Sequence, residues 1–201
     1  GRRMAKSRLM ANNLTYGIRS HNTILVDYEN ERELPDQDLL ALFRFYVLYS
    51  PCDNASLKGI SLKERGWQGN IRSNGLGKLL DEEIPKGSGP FYLPAIDNGA
   101  NLRQLFAHAR LADGKLSDIS TERAVTTLGK RSESQYLRLF RHVRNCFAHG
   151  RFKYLVNEDS PEGIFVMEDR DRDNYTARMV LGKATLLSWA RIIEAGPCEE
   201  S

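Results

Sequence analysis

Tyr136–Phe152 reads YLRLFRHVRNCFAHGRF, and the residues that follow, Lys153–Val156, read KYLV. The apolar period changes between the two. At about 100° per residue, Leu137, Phe140, Arg144 and Phe147 run down one side of a helix, and Leu139 and Val143 widen that side. Arg138, Arg141, Asn145 and His149 follow one another at spacings of three, four and four and form a polar stripe. Gly150 stands where a helix stop belongs. Beyond it Phe152, Tyr154 and Val156 alternate with Arg151, Lys153 and Leu155, a period of two that predicts a strand. The stretch therefore predicts a helix over about 132–149 that turns directly into a sheet.

Working toward the N-terminus, 117–131 reads as a short helix ending near Gly129. A helix from Asn98 or Asn101 carries Leu102, Leu105, Phe106, Ala109 and Ala112 on one face. Lys86–Pro90 is a break, preceded by a helix over 73–84 with Leu76, Leu79 and Leu80 as its stripe. Residues 51–71 read as loop. Leu39, Leu42, Phe43 and Tyr46 mark a strong helix from Asp36 to about Ser50, with Leu40 and Val47 widening its apolar arc; Pro51 stops it. Residues 22–28 suit a short strand. Toward the C-terminus, 164–167 and 175–181 read as further strands joined by a charged turn at 170–174. A last helix covers 183–194. The order predicts a mainly helical α+β domain in which the sheet is a small antiparallel meander. One domain over 14–201 is expected, with helices over about 36–150, and the meander plus helix over about 151–196. A basic head over 1–13 precedes it, read as a flexible tail whose first three residues look like an expression remnant.

The chain has 201 residues and 41% apolar content, enough for a real core. Its net charge of +3 does not by itself argue for nucleic acid, but the distribution is uneven. Ser134–Asn157 holds Arg138, Arg141, Arg144, Arg151 and Lys153 and no acid, whereas Glu158–Asp173 holds seven acids and two arginines. Cys52, Cys146 and Cys198 have neither metal-ligand spacing nor a disulfide pattern, and reduced thiols in a cytoplasmic protein are the simplest reading. The longest apolar run, Leu39–Tyr49, is about half of the ~20 residues that a membrane span needs. The first residues hold no apolar run of leader type, so no signal peptide is expected.

Gly75-Leu76-Gly77-Lys78-Leu79 departs from a phosphate loop, with Arg72 in place of the first glycine and Leu79 in place of Ser or Thr. No metal-ligand set or cofactor motif occurs. Gly66-Trp67-Gln68-Gly69 reads as a turn around a docking tryptophan, and His108 as a structural histidine. The remaining candidates are Arg144, Asn145 and His149. A purely structural account of them exists: histidine in the last turn favours the helix dipole, and an Arg-Asn pair can bridge elements. The chemical account is an anion-handling acid–base set. Histidine exchanges a proton near neutrality. Arginine offers a fixed charge and a donor fork to phosphate. Asparagine orients the imidazole or donates to a developing oxyanion. Such a set suffices for metal-free attack of an RNA 2′-hydroxyl on its neighbouring phosphate. A two-fold dimer would supply both an acid and a base.

Arg144-Asn145-Cys146-Phe147-Ala148-His149 resembles the signature of HEPN domains: an arginine, four to six residues and a histidine, often with a polar residue directly after the arginine. The appended strands and last helix are similar to those of small plasmid- and prophage-borne members. The resemblance implies a helical bundle that dimerises through its signature helices. It also implies a metal-independent endoribonuclease of the toxin or phage-defence kind, acting without cofactor, with an antitoxin or defence-system partner protein. Arg144 and His149 would carry cleavage and Asn145 would support them. By charge, Arg138, Arg141, Arg151 and Lys153 are candidates for the RNA backbone. Arg151 occupies the place of the tyrosine found in members modified by nucleotidyltransferases. Other members are inactive, so the alternative is a non-catalytic RNA- or nucleotide-binding or dimerisation module.

Overall fold

The computed structural model describes residues 18–19, 32–93, 99–114, 116, 118–127 and 133–198. The basic head and the strand expected over 22–28 lie outside the described residues. In chain order the elements are β1 (Ile18–Arg19), α1 (Asp36–Leu42) running into a π-helical turn (Phe43–Leu48), α2 (Leu76–Glu82), β2 (Phe91–Tyr92) and α3 (Gly99–His108). They continue with β3 (Arg123–Thr126), α4 (Gln135–Ala148), β4 (Phe152–Asn157), β5 (Ser160–Asp171), β6 (Asn174–Gly182) and α5 (Lys183–Ala195).

The sheet is a substantial part of the fold, which corrects the expectation of a mainly helical bundle with a small meander. Its order is β2–β3–β6–β5–β4. The four strands β3, β6, β5 and β4 are antiparallel neighbours, and β2 lies parallel to β3. β1 pairs with β6 at Tyr175 and Asn174, past the residues of β6 that β3 occupies. Helices cover both faces. Alternation along the strands sends Tyr154, Phe165, Met167, Ala177, Met179 and Leu181 to one face, into a core shared with Leu42, Tyr46, Leu139, Phe140, Val143, Phe147 and Trp189. It sends Leu155, Val166 and Val180 to the other face, against Leu102, Phe106 and Ala109 of the α3 region. The helices therefore do not pack as one bundle.

Two local misreadings account for the difference. The segment expected as a short helix over 117–131 contains β3, whose run Arg123-Ala124-Val125-Thr126 pairs with β6; its β-branched residues suit a pleated buried surface. β5 extends to Asp171, well past the expected Met167. Glu168 and Asp169 look like turn residues locally, yet both are buried. Each has a cationic or polar partner on another element, which is what buried charges require. Leu40, expected to widen the buried arc of α1, is instead exposed.

Arginines staple the α3 face. Arg178 is fully buried, with Asp113 at 2.7 Å and Glu168 at 3.4 Å, and its guanidinium lies over the Phe106 and Tyr175 rings. Arg123 donates to the carbonyls of Ala109, Thr121 and Asp118 at 2.8, 2.6 and 2.6 Å, tying the α3–β3 crossover to the sheet. On the other face both tryptophans anchor α5. Trp189 donates to the Leu80 carbonyl at 2.9 Å and packs on Tyr136 and Phe140. Trp67, as its glycine-flanked turn suggests, docks inward and donates to the Ile193 carbonyl at 3.1 Å.

Two outcomes follow from this packing. Trp189→Ala is expected to lose about 3–5 kcal/mol in urea unfolding, whereas fully exposed Leu57→Ser stays within about 0.5 kcal/mol. Burial pushes the Asp118 carboxyl up, but hydrogen bonds from Ser120 and Thr121 and the nearby Arg123 charge outweigh it and hold the group at about 2. The folded value lies below the unfolded one, so the charge stabilises the fold above about 3.8 and that contribution disappears as pH falls toward about 2. Asp118→Asn should therefore be less stable than wild type at neutral pH, with the gap closing across that acid window in pH-dependent thermal melts.

Candidate functional site

α4 begins at Ser134, whose hydroxyl accepts from the Leu137 amide at 3.1 Å. It ends in paired reverse bonds: the Arg151 amide donates to the Cys146 carbonyl at 2.8 Å and the Gly150 amide to the Phe147 carbonyl at 3.3 Å. Gly150 takes φ +62°, the left-handed conformation this motif places after the cap. The motif turns the chain from helix to β4 within two residues. His149, the capping residue, is left exposed on the outside of that turn, one helical turn beyond Asn145.

The rest of the site is built on a carboxylate that sequence reasoning missed. Asp169, on β5, is 3% exposed. Its Oδ2 accepts from Asn145 Nδ2 at 2.9 Å and from His142 Nδ1 at 2.8 Å. Its Oδ1 accepts from the Arg170 amide at 2.9 Å and lies 3.5 Å from Arg151 Nη1. Asn145 then accepts at Oδ1 from Arg144 Nη1 at 3.1 Å. A continuous chain thus runs His142–Asp169–Asn145–Arg144 from the sheet to the rim of the helix. With Asp169 ionised, His142 carries its proton on Nδ1. His142, Asn145 and His149 stand three and four residues apart, on one stripe of α4.

Arg144 is half-buried, and its Nε is sealed from solvent without a hydrogen-bond partner. Among the described residues no carboxylate lies within ion-pair distance of it. Among the described residues its hydrogen-bond partner is the neutral amide oxygen of Asn145.

The expected RNA-backbone arginines fare differently. Arg138 is 3% exposed and leaves almost no surface to offer a phosphate, so it is withdrawn from that role. Burial pushes Arg138 down from the usual arginine range, countered in part by Glu133. Arg141 pairs with Glu133 at 2.6 Å and lines a groove of about 690 Å³ with Trp67 and Leu137, toward the N-terminal end of α4 and away from His149. Arg151 donates to the Arg170 carbonyl at 2.8 Å besides facing Asp169, and Lys153 is half-buried on β4. The basic stretch is therefore largely paired within the chain.

His142 was legible only as a residue of the helix; its spacing from Asn145 and His149 was the available signal. Asp169 had none, because its neighbours Glu168, Arg170 and Asp171 are also charged. Among the described residues no group of three or more His, Cys, Asp or Glu side chains is placed to hold a metal ion, and no helix is long and apolar enough to cross a membrane. Comparison of the chain with protein-family models, curated proteins and solved structures finds no match.

Burial pushes the Cys146 thiol up, with Asp169 adding to it, and drives Cys52 to about 12. Cys198 is exposed. One thiol in three should react with an aromatic disulfide reagent in the native protein, and all three after denaturation. Fast native labelling of Cys146 would show that α4 opens at the site.

Proposed function

We propose that the protein is a metal-independent endoribonuclease that acts as a homodimer, with Arg144 and His149 at its reacting centre. The observation that carries this reading is Arg144: a half-buried guanidinium with no carboxylate partner among the described residues, anchored through Asn145 on the helix that ends in exposed His149. A fixed charge left without an internal counter-ion at the surface suits an anion, and arginine matches phosphate oxygens in particular. The HEPN-like spacing of Arg144, Asn145 and His149 supports the same reading, although the helical bundle which that resemblance implies is not the fold found.

In this mechanism His149 takes the proton of a ribose 2′-hydroxyl as O2′ attacks the adjacent phosphorus. The P–O5′ bond breaks, and the 5′ oxygen receives its proton from the partner subunit's His149, which enters the reaction protonated. The products are a 2′,3′-cyclic phosphate and a 5′-hydroxyl. Arg144 stabilises the charge that gathers on the phosphorane-like transition state. Asn145 holds Arg144 by its carbonyl oxygen, while its amide nitrogen donates to Asp169; this support of the guanidinium replaces the expected orientation of the imidazole. A closed two-fold dimer brings the two histidines to one phosphate. A role as a toxin or phage-defence effector, with a cognate partner protein, follows from the resemblance alone.

His149→Ala and Arg144→Ala are each expected to lower cleavage of single-stranded RNA by at least about 100-fold. His149→Ala should leave the melting temperature unchanged, because the side chain is exposed. Wild-type cleavage should persist in EDTA, and activity per chain should fall on dilution as the dimer dissociates. Full cleavage by either folded variant would sink the reading. RNA binding without turnover by the wild type would instead make the protein a binding module.

A further inference from the structure

The chain His142–Asp169–Asn145–Arg144 has more order than a cap or a surface ion pair requires. Asp169 Oδ2 takes two donors at once, Asn145 Nδ2 at 2.9 Å and His142 Nδ1 at 2.8 Å, on a residue 3% exposed. Both donors come from α4 and the acceptor comes from the sheet. Donation by Nδ2 forces the other end of the Asn145 amide, Oδ1, toward Arg144 Nη1. The carboxylate therefore decides which way the amide faces, and the amide decides where the guanidinium sits. Were the amide reversed, two donors would face each other at Arg144 and the guanidinium would leave its place. The β5–β6 ladder also shifts register at Asp169 and Arg170. Such an irregularity re-aims side chains at a strand end. The Arg170 amide turns back to the Asp169 carboxylate at 2.9 Å and fixes its plane.

We propose that Asp169 is the positioning residue of the ribonuclease site, setting Arg144 through Asn145, and that His142 serves it as a second donor rather than as a proton-transfer group. The inference rests on the ribonuclease reading above. Asp169 and His142 touch neither substrate nor reacting atoms; they act through Asn145. Their effect belongs to the transition state, because a guanidinium misplaced by an ångström still attracts RNA but no longer meets the charge on phosphorus.

The test uses the full chain with His142→Asn, His142→Leu and Asp169→Asn. Asparagine at 142 can place an amide nitrogen where Nδ1 stands and keep the donation to Asp169; leucine cannot. Leucine at 142 and asparagine at 169 should lower kcat between about ten- and a hundredfold, with KM for RNA unchanged within about threefold. His142→Asn should recover most of the wild-type kcat. The Asn145 side-chain amide, assigned by comparison with Asn145→Ala, supplies a readout independent of turnover. Its two proton signals should be widely split in wild type and His142→Asn, and collapse toward the free-amide position in Asp169→Asn. If Asp169→Asn fails to fold, the His142 pair decides the matter alone. Unchanged kcat in folded His142→Leu overturns the positioning role while leaving the ribonuclease reading intact. Loss of kcat in His142→Asn as deep as in His142→Leu also overturns it, by making the imidazole itself necessary. Absence of cleavage by the wild type defeats the ribonuclease reading, and the catalytic consequence of Asp169 falls with it.

Discussion

The pairing of β5 with β6 is the constraint from which the rest of the molecule takes its form. It is a long antiparallel ladder, running from Ile164 opposite Gly182 to Asp171 opposite Asn174. A strand shows successive residues to opposite faces, so this register divides the side chains between two cores. Phe165 and Met167 meet α4 and α5, while Val166 meets α3. Asp169 continues the first series and arrives under α4; Glu168 continues the second and arrives beside Arg178. A slip of one residue would turn each acid to the other face, taking Glu168 from Arg178 and Asp169 from Asn145.

Charge is handled differently on the two faces. On the α3 side, Arg178 is closed in by Asp113, Glu168 and two aromatic rings, a buried cation with two carboxylates in reach. Removing one member of such a set would strand the others at a cost of several kcal/mol, which is the behaviour of a structural pair. On the α4 side the compensation stops short. Asp169 is satisfied by His142, Asn145, the Arg170 amide and Arg151, but among the described residues Arg144 receives only an amide oxygen, and its sealed Nε has no hydrogen-bond partner there. An unsatisfied buried donor costs about 1–3 kcal/mol. What distinguishes the α4 terminus from the Arg178 staple is charge: Arg178 has two carboxylates within 3.4 Å, and Arg144 has none among the described residues.

Much of the helix layer was legible from period alone. α1, α2, α3, α4 and α5 all lie where apolar residues recur at helical spacing, and Gly150 ends α4 in the conformation that only glycine adopts without strain. The sheet was under-read because two of its parts lack a local signature. β3 is four residues long and its burial on both faces comes from β6, α3 and α4 rather than from its own sequence. The end of β5 is charged, and charge in a strand makes sense only once Arg178 and His142 are in place. For the site, Arg144, Asn145 and His149 were visible as a spaced polar set at a helix end. His142 shared their stripe but had no stated partner.

By itself the sequence determined the local things: a helix over about 132–149, found at Gln135–Ala148, its stop at Gly150, the strand after it, and the nearness of Arg144, Asn145 and His149 that helical spacing enforces. These depend on residues within a few turns of one another. Only the tertiary structure decided that the sheet stands between two helical layers, that Arg138 is buried while His149 is exposed, and that Asp169 from β5 binds His142 and Asn145. Those outcomes depend on strand register and on packing between residues 24 and 27 positions apart along the chain. No local pattern encodes them, because a carboxylate in a charged stretch acquires its role only from the donors that the fold brings to it.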